Sequence, residues 1–227
     1  MKVEIDRDGF TIIDNYLDRA TVDRLIHDIT ALNLTPERAG MRNILESLPS
    51  IQQLAQSEPI LALVEPILGN TARVVRGIFF DKQPSANWKV AWHQDVTIAV
   101  KNRLDLPDYQ PWSLKGGIHH VQPPVAILEQ MLTVRIHLDK TDESNGALKV
   151  IAGSHRHGKL GVDETVGLKQ TDAIICTCES GGILLMRPLL LHASSMAIVP
   201  SHRRVIHLDY ASCELPEGLQ WYYDNLK

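Results

Sequence analysis

The chain has 227 residues, of which 44% are hydrophobic and 22% charged, a composition typical of a globular domain. Its 23 basic residues nearly balance 27 acidic ones, at a formal net charge of -4. No broad basic field is therefore expected to attract nucleic acid or an anionic membrane. We predict one domain over residues 1–227, and the composition leaves its oligomeric state open.

Targeting signals and membrane spans are not predicted. Charged and apolar residues alternate from Lys2 to Asp6, which is incompatible with the apolar core of a secretory signal. No run reaches the roughly 18 apolar residues needed to cross a bilayer. These features predict a cytoplasmic protein with reduced thiols, and we interpret Cys176 and Cys178 as small residues of a strand.

The first part of the chain, residues 1–70, is predicted to be helical. Apolar residues recur at helical spacing after Thr21, which is expected to cap that helix. Pro59 and Gly69 bracket a second apolar segment that we also predict to be a helix, bent at Pro66.

The pattern changes near residue 72 to short runs rich in β-branched residues, which predict strands. In chain order these runs are Arg73 to Lys82, Val90 to Val96, Leu132 to Leu138, Ala147 to Ile151, Ala173 to Cys178, Ile183 to Arg187 and Arg204 to Tyr210. Short strands without long helices between them predict an antiparallel sandwich or barrel over residues 72–210. The predicted fold class is therefore mainly β with flanking helices.

One segment, residues 101–124, does not fit this plan. It holds four of the twelve prolines and the pair Gly116-Gly117, together with Trp112. We predict a long ordered loop, and loops of this length often bind ligands or act as lids. Trp112 is then a candidate contact to substrate, and a surface excursion without a role is the alternative.

A candidate metal motif lies in the second predicted strand. Side chains alternate along a strand, so His93 and Asp95 would project from one face. An imidazole, a carboxylate and a third ligand from a neighbouring strand form the facial triad of non-haem Fe(II) oxygenases, which leaves the other coordination positions open. His-x-Asp alone is a weak signal, because chance produces it often in a chain of this size.

Two further residues come later in the chain. His192 ends a strongly apolar segment, and a lone histidine there is more often a satisfied core residue than a ligand. Arg203 stands at the start of the last predicted strand, directly before Arg204, and a buried guanidinium needs an anion such as the distal carboxylate of 2-oxoglutarate. The alternative for Arg203 is a surface charge, and Arg204 is expected to be solvated on the opposite face.

Taken in order, these residues resemble the phytanoyl-CoA dioxygenase family of Fe(II)/2-oxoglutarate oxygenases. The resemblance covers Phe10 to Tyr210 in outline. Its most specific parts are Trp92-His93-Gln94-Asp95, Asn145-Gly146-Ala147-Leu148-Lys149-Val150-Ile151-Ala152-Gly153-Ser154-His155, and His192-Ala193-Ser194 followed by Arg203. It implies a double-stranded β-helix core of the jelly-roll, cupin-like type, flanked by N-terminal helices.

The resemblance also implies roles for individual residues. His93, Asp95 and His192 would be the catalytic metal ligands, and Arg203 and Ser194 would hold the far carboxylate of 2-oxoglutarate. The remaining candidates are Thr133 and Ile78 near the cosubstrate, and Arg135, Lys82 and Trp112 near the substrate. The other histidines are interpreted as structural, although His119 or His120 could touch substrate from the loop.

The implied activity is a dioxygenase that uses Fe(II), 2-oxoglutarate and O2 to oxidise a small organic substrate. Asp95 favours hydroxylation over halogenation, because halogenating relatives replace this ligand with Gly or Ala. No basic patch for a coenzyme A phosphate is evident, which argues against an acyl-CoA substrate. Two alternatives stay open: a metal-dependent isomerase or lyase that does not use 2-oxoglutarate, and a non-catalytic ligand-binding barrel.

Overall fold

A computed structural model describes residues 1–33, 40–168 and 173–223. The helices are α1 (Lys2–Asp8), α2 (Arg19–Ala31), α3 (Ile44–Ser47), α4 (Pro49–Ala55), α5 (Glu58–Leu68), α6 (Val125–Leu128) and α7 (Val162–Leu168), with a 3-10 turn at Ser154–His157. The strands are β1 (Phe10–Ile13), β2 (Gly40–Arg42), β3 (Arg73–Lys82), β4 (Val90–His93), β5 (Ile98–Val100), β6 (Trp112–Lys115), β7 (Ile118–Val121), β8 (Met131–His137), β9 (Leu148–Val150), β10 (Ile174–Cys176), β11 (Ile183–Met186), β12 (His192–Ser194) and β13 (Arg203–Ala211).

These strands form three antiparallel sheets. The major sheet has the order β1-β11-β8-β13-β3-β2, and the minor sheet has the order β10-β9-β12-β4. A smaller sheet, β5-β7-β6, lies beside them. The predicted fold class, mainly β with a jelly-roll core and flanking helices, is confirmed.

The two faces of the major sheet differ in chemistry. Every residue of β8 is buried, and Leu132, Val134 and Ile136 share one apolar cluster with the N-terminal helices. Because side chains alternate along a strand, Thr133 and Arg135 project from the other face. The helices therefore cover one side of the sheet, and the polar side faces the interior of the barrel.

Two expectations for the N-terminal part were wrong. It contains strands as well as helices, because β1 pairs with β11 and β2 pairs with β3. The cap of α2 is Asp18, whose carboxylate accepts a hydrogen bond from the Thr21 N–H at 2.7 Å. The helix thus begins two residues before Thr21, and Thr21 supplies the N–H group that is capped.

Residues 101–124, predicted as a loop, contain the β6–β7 hairpin. Gly116 and Gly117 form its turn with φ angles of 59° and 81°, values that favour glycine and suit a two-residue hairpin turn. The surrounding prolines hid this signal in the sequence. Within the ranges that the structure describes, no helix is long and apolar enough to span a membrane.

Candidate metal centre and its cavity

His93 and His192 are brought together by strand pairing in the minor sheet. They are cross-strand partners of β4 and β12, with ring centroids 4.2 Å apart. Asp95 lies two residues beyond the end of β4, where its backbone N–H donates to the Pro188 carbonyl oxygen at 2.9 Å. The expectation of a continuous strand through Asp95 was wrong, yet the loop still directs its carboxylate to the two histidines.

The three side chains form a compact donor set. The Nε2 atoms of His93 and His192 each lie 3.7 Å from a carboxylate oxygen of Asp95. One ligand atom from each residue lies within 4.8 Å of the others. Two imidazoles and one carboxylate at this separation match the donor chemistry of a divalent transition metal.

Hydrogen bonds to the backbone orient both imidazoles. Nδ1 of His93 lies 2.9 Å from the Ala91 carbonyl oxygen, and Nδ1 of His192 lies 2.8 Å from that of Leu190. A carbonyl oxygen can only accept, so each Nδ1 carries a proton, and in a neutral imidazole Nε2 then keeps its lone pair for a metal. Burial also lowers the pKa of His192 to about 4, which keeps it neutral at pH 7.

Asp95 is held in its charged form by its neighbours. Burial favours the neutral acid, but the fields of His192, His207 and Arg76 hold the pKa of Asp95 below its ordinary value. An ionised carboxylate beside the neutral imidazole of His192 is the protonation state that these metal ligands require. The donor set therefore fits a metal in both geometry and charge.

The triad faces a cavity of about 300 Å³. Its apolar wall is formed by Ile78, Phe80, Trp88, Val90 and Leu148. Arg203 also lines this cavity but is 3% exposed, and its Nε has no hydrogen-bond partner among the described residues. Burial and the neighbouring Arg135 lower the pKa of Arg203 to about 10, although the charge of Asp81 opposes this shift. The guanidinium is therefore a buried cation without an ion-pair partner among the described residues.

The match to protein families agrees with this geometry. The model of the family described as phytanoyl-CoA dioxygenase (PhyH) matches residues 5–205. The chain belongs to the phytanoyl-CoA dioxygenase family. The family predicted from the sequence is thus confirmed.

A curated relative is similar to this chain in sequence, and solved structures share its fold. A curated relative, an ectoine dioxygenase from Bordetella parapertussis, is 23% identical over 247 residues, which cover 92% of this chain and 73% of that protein. EctD from S. alaskensis, solved with 2-oxoglutarate and 5-hydroxyectoine, has a TM-score of 0.72 at 19% identity and covers 93% of this chain and 74% of its own. HygX from Streptomyces hygroscopicus, solved with nickel and 2-oxoglutarate, has a TM-score of 0.66 at 17% identity, with coverages of 91% and 84%.

The predicted cosubstrate residues divide into two groups in this family member. Ile78 and Ser194 line the cavity. The hydroxyl of Ser194, however, donates to the Gly146 carbonyl oxygen at 2.9 Å. Thr133 is fully buried and donates to Asp209 at 2.7 Å, and it does not line the cavity. Strand register places Thr133 directly opposite Asp209, so the cavity lining does not support its predicted contact with the cosubstrate.

The predicted substrate residues also differ in whether they line the cavity. Arg135 lines the cavity, as expected for a substrate contact. Lys82 lies behind the wall, fully buried, and donates to Ser194 Oγ at 2.9 Å and to the Ser195 carbonyl oxygen at 2.5 Å. Trp112 packs in the small sheet, with its ring 6.4 Å from that of His119, and does not reach the cavity. The direct roles predicted for Lys82 and Trp112 are therefore not supported.

Arg204 is not solvated as expected. Its guanidinium makes two hydrogen bonds to the Asp139 carboxylate, at 2.8 and 2.7 Å, with both side chains largely buried. Arg203 and Arg204 therefore differ. Arg204, on the outer face, is paired with a carboxylate. The one that faces the cavity has no such partner among the described residues.

A buried charge network beside the cavity was missed by sequence reasoning. Arg135 donates to Nδ1 of His207 at 2.9 Å, so His207 Nε2 carries the proton and donates to Asp209 at 3.0 Å. Arg76 donates from the other side to Asp209 at 2.5 Å. Polar residues at alternate positions of the last strand, His207 and Asp209, were the available signal.

We predict that Asp209→Asn lowers the free energy of unfolding by about 3–5 kcal/mol, because the substitution leaves Arg76 buried without its counter-charge. Urea denaturation of the metal-free protein at pH 7 measures the change. Asp105→Asn is the matched control, since the Arg103–Asp105 pair is exposed and its loss costs about 1 kcal/mol or less. Equal effects of the two substitutions would show that the buried pair does not stabilise the fold.

The same carboxylate predicts a pH dependence. Although burial alone would raise the pKa of Asp209, Arg76 and His207 hold it far below its ordinary value. The ion pair therefore contributes its full stability above about pH 4, where an unfolded aspartate is ionised, and loses it as the pH falls towards the lowered pKa. Denaturation between pH 6 and pH 2 should show a steeper loss for the parent chain than for Asp209→Asn.

Proposed function

We propose that this protein is an Fe(II)- and 2-oxoglutarate-dependent dioxygenase that hydroxylates a small organic molecule. The observation that carries the proposal is the pairing, in one cavity, of a His-Asp-His donor set with a buried arginine that has no carboxylate partner among the described residues. Membership of the phytanoyl-CoA dioxygenase family supports the same activity.

Each part of the site has a distinct task in this proposal. His93, Asp95 and His192 would hold iron through two Nε2 atoms and a carboxylate. When bound, iron and 2-oxoglutarate supply oxygen activation coupled to decarboxylation of 2-oxoglutarate to succinate and CO2. Arg203 would bind the far carboxylate of the cosubstrate, because its planar guanidinium can donate two parallel hydrogen bonds.

The chain's own contribution is geometry and the exclusion of water. Backbone carbonyls orient both histidines, and the apolar wall would reduce the number of water molecules near bound iron and cosubstrate. Hydrogen bonds that fix ligands in this way are commonly worth 10- to 100-fold in metal affinity or activity. The matches to HygX with nickel and 2-oxoglutarate and to EctD with 5-hydroxyectoine support such a use of the fold.

The test is an anaerobic titration with Fe(II) and 2-oxoglutarate. We expect the weak visible charge-transfer band of an iron–2-oxoglutarate complex, its loss on addition of a chelator, and succinate release once oxygen and a substrate are supplied. A protein that binds neither iron nor 2-oxoglutarate would be a non-catalytic binding module. Metal-dependent turnover without 2-oxoglutarate would instead indicate an isomerase or lyase.

A further inference from the structure

We propose that the substrate carries an anionic group, a carboxylate or a phosphate, that binds to Arg42 and Lys115 at the mouth of the cavity. The inference rests on the proposed function and deepens it by naming the substrate class. The mouth cluster is defined here as Arg42, Arg76 and Lys115, all of which line the cavity.

The cavity is strongly cationic although the chain as a whole is acidic. Among the described residues that line it, five side chains are basic, namely the mouth cluster, Arg135 and Arg203, and only Asp95 is acidic. The whole chain has a net charge of -4. This concentration of positive charge therefore belongs to the site and does not reflect the general surface.

The basic groups lie at two separate places along the major sheet. Arg203 is the cross-strand partner of Lys82, and Arg76 lies six residues before Lys82 on the same strand. At about 3.3 Å per residue, these two positions are roughly 20 Å apart along β3. Four C–C bonds of about 1.5 Å span at most roughly 6 Å. The carboxylate of a 2-oxoglutarate that is held by Arg203 therefore cannot also pair with the mouth cluster.

Arg42 and Lys115 have no carboxylate partner among the residues that the structure describes. The Arg42 stem runs to the turn of the β6–β7 hairpin, where a Cβ placed on Gly116 would lie 3.6 Å from Arg42 Cδ. Burial, Arg76 and Arg42 together lower the pKa of Lys115. Arg42 and Lys115 thus lie close to each other and to Arg76, and of these three only Arg76 has a carboxylate partner among the described residues.

Exposure identifies which end of the cavity is open. Arg42 is exposed and Lys115 is half-buried, whereas Arg203 is almost completely buried. A second substrate must enter from the open end, so it meets the mouth cluster first. The deep end, with Arg203, is left to the cosubstrate.

With Fe(II) and 2-oxoglutarate bound, the cavity would still carry a surplus of positive charge, which a second anion would balance. Fe(II) and doubly ionised 2-oxoglutarate carry equal and opposite charges. The five basic side chains then face Asp95 and, behind the wall, Asp209, which pairs with Arg76. An uncharged or cationic substrate would add no counter-charge to the mouth cluster, whereas a carboxylate or phosphate would form charge-assisted hydrogen bonds with it.

Binding of matched probes tests the inference. The protein is loaded anaerobically with Fe(II) and saturating 2-oxoglutarate, and the change in its visible band and in tryptophan fluorescence is followed on titration. The probes are benzoate, phenyl phosphate and benzamide, together with hexanoate, hexyl phosphate and hexanamide. We expect at least one anionic probe to bind about tenfold or more tightly than its amide. The better of carboxylate and phosphate identifies the group.

Variants locate the binding group. Arg42→Gln and Lys115→Gln should each weaken the preferred anion about tenfold, whereas Arg103→Gln, an exposed arginine paired with Asp105, serves as the control. The inference is overturned if no anionic probe binds more tightly than its amide, or if the two variants lose affinity for 2-oxoglutarate to the same extent as for the probe. Failure of the proposed function is a separate result, because the band of iron with 2-oxoglutarate would then be missing before any probe is added.

Discussion

His192→Gln is expected to reduce succinate formation at least about 100-fold, because it removes one of the three donors that face the proposed iron position. Substitutions of supporting residues around metal ligands already cost 10- to 100-fold, and loss of a ligand should cost more. Asp95→Asn keeps the shape of the side chain but removes its negative charge, and should have an effect of similar size. Iron affinity, measured by anaerobic titration, should fall in both variants.

The control for these substitutions is His157→Ala. His157 is exposed, ends the 3-10 turn and is not part of the donor set. It should retain both iron binding and turnover. Full activity in His192→Gln or Asp95→Asn would show that the triad is wrongly assigned, whereas loss of activity in all three variants would indicate general damage to the fold.

Arg203→Met is expected to change two properties in opposite directions. Affinity for 2-oxoglutarate should fall roughly 100-fold, because a charge-assisted pair with the far carboxylate is lost. The metal-free protein should become more stable by about 1–3 kcal/mol, because a buried cation without a counter-ion is replaced by an apolar side chain. A purely structural arginine would not give this combination. Calorimetric titration and urea denaturation measure the two effects.

The neighbouring Arg204→Met is the matched control for Arg203→Met. Arg204 pairs with Asp139 on the outer face, so its loss should lower stability and leave 2-oxoglutarate affinity unchanged. If Arg203→Met kept full affinity and turnover, the cosubstrate would be bound elsewhere or not used. The isomerase or lyase alternative would then be favoured.

Local sequence patterns were sufficient to predict several strands of the fold. β3 occupies Arg73–Lys82, the range that its run of β-branched residues predicts, and β13 differs from its prediction by one residue at each end. The β6–β7 hairpin was missed because its prolines indicated a loop, although Gly116-Gly117 is also a hairpin signal. The prolines favour a loop and the glycine pair favours a hairpin. Pairing of β7 with a third strand, β5, stabilises the hairpin.

Tertiary contacts decided which of the predicted site residues reach the cavity. Thr133 and Arg135 share one face of β8, as the alternation predicts, yet Thr133 bonds to Asp209 while Arg135 lines the cavity. The difference depends on which residue of β13 lies opposite each of them. Register between strands more than 70 residues apart is not readable from a single sequence.

The sequence by itself determined the fold class, the family and the three residues that the structure brings together as a donor set. Those features depend on local periodicity and on short motifs that must keep their order. The buried network around Asp209 and the mouth cluster were decided by the tertiary structure alone. Arg76 and Asp209 are 133 residues apart, and Arg42 meets the turn beside Lys115 only through the packing of two sheets. Electrostatic interactions fall off with spatial distance, and the distances between charged side chains are set by the fold. The near-neutral composition of the chain therefore does not indicate that basic residues gather around one cavity.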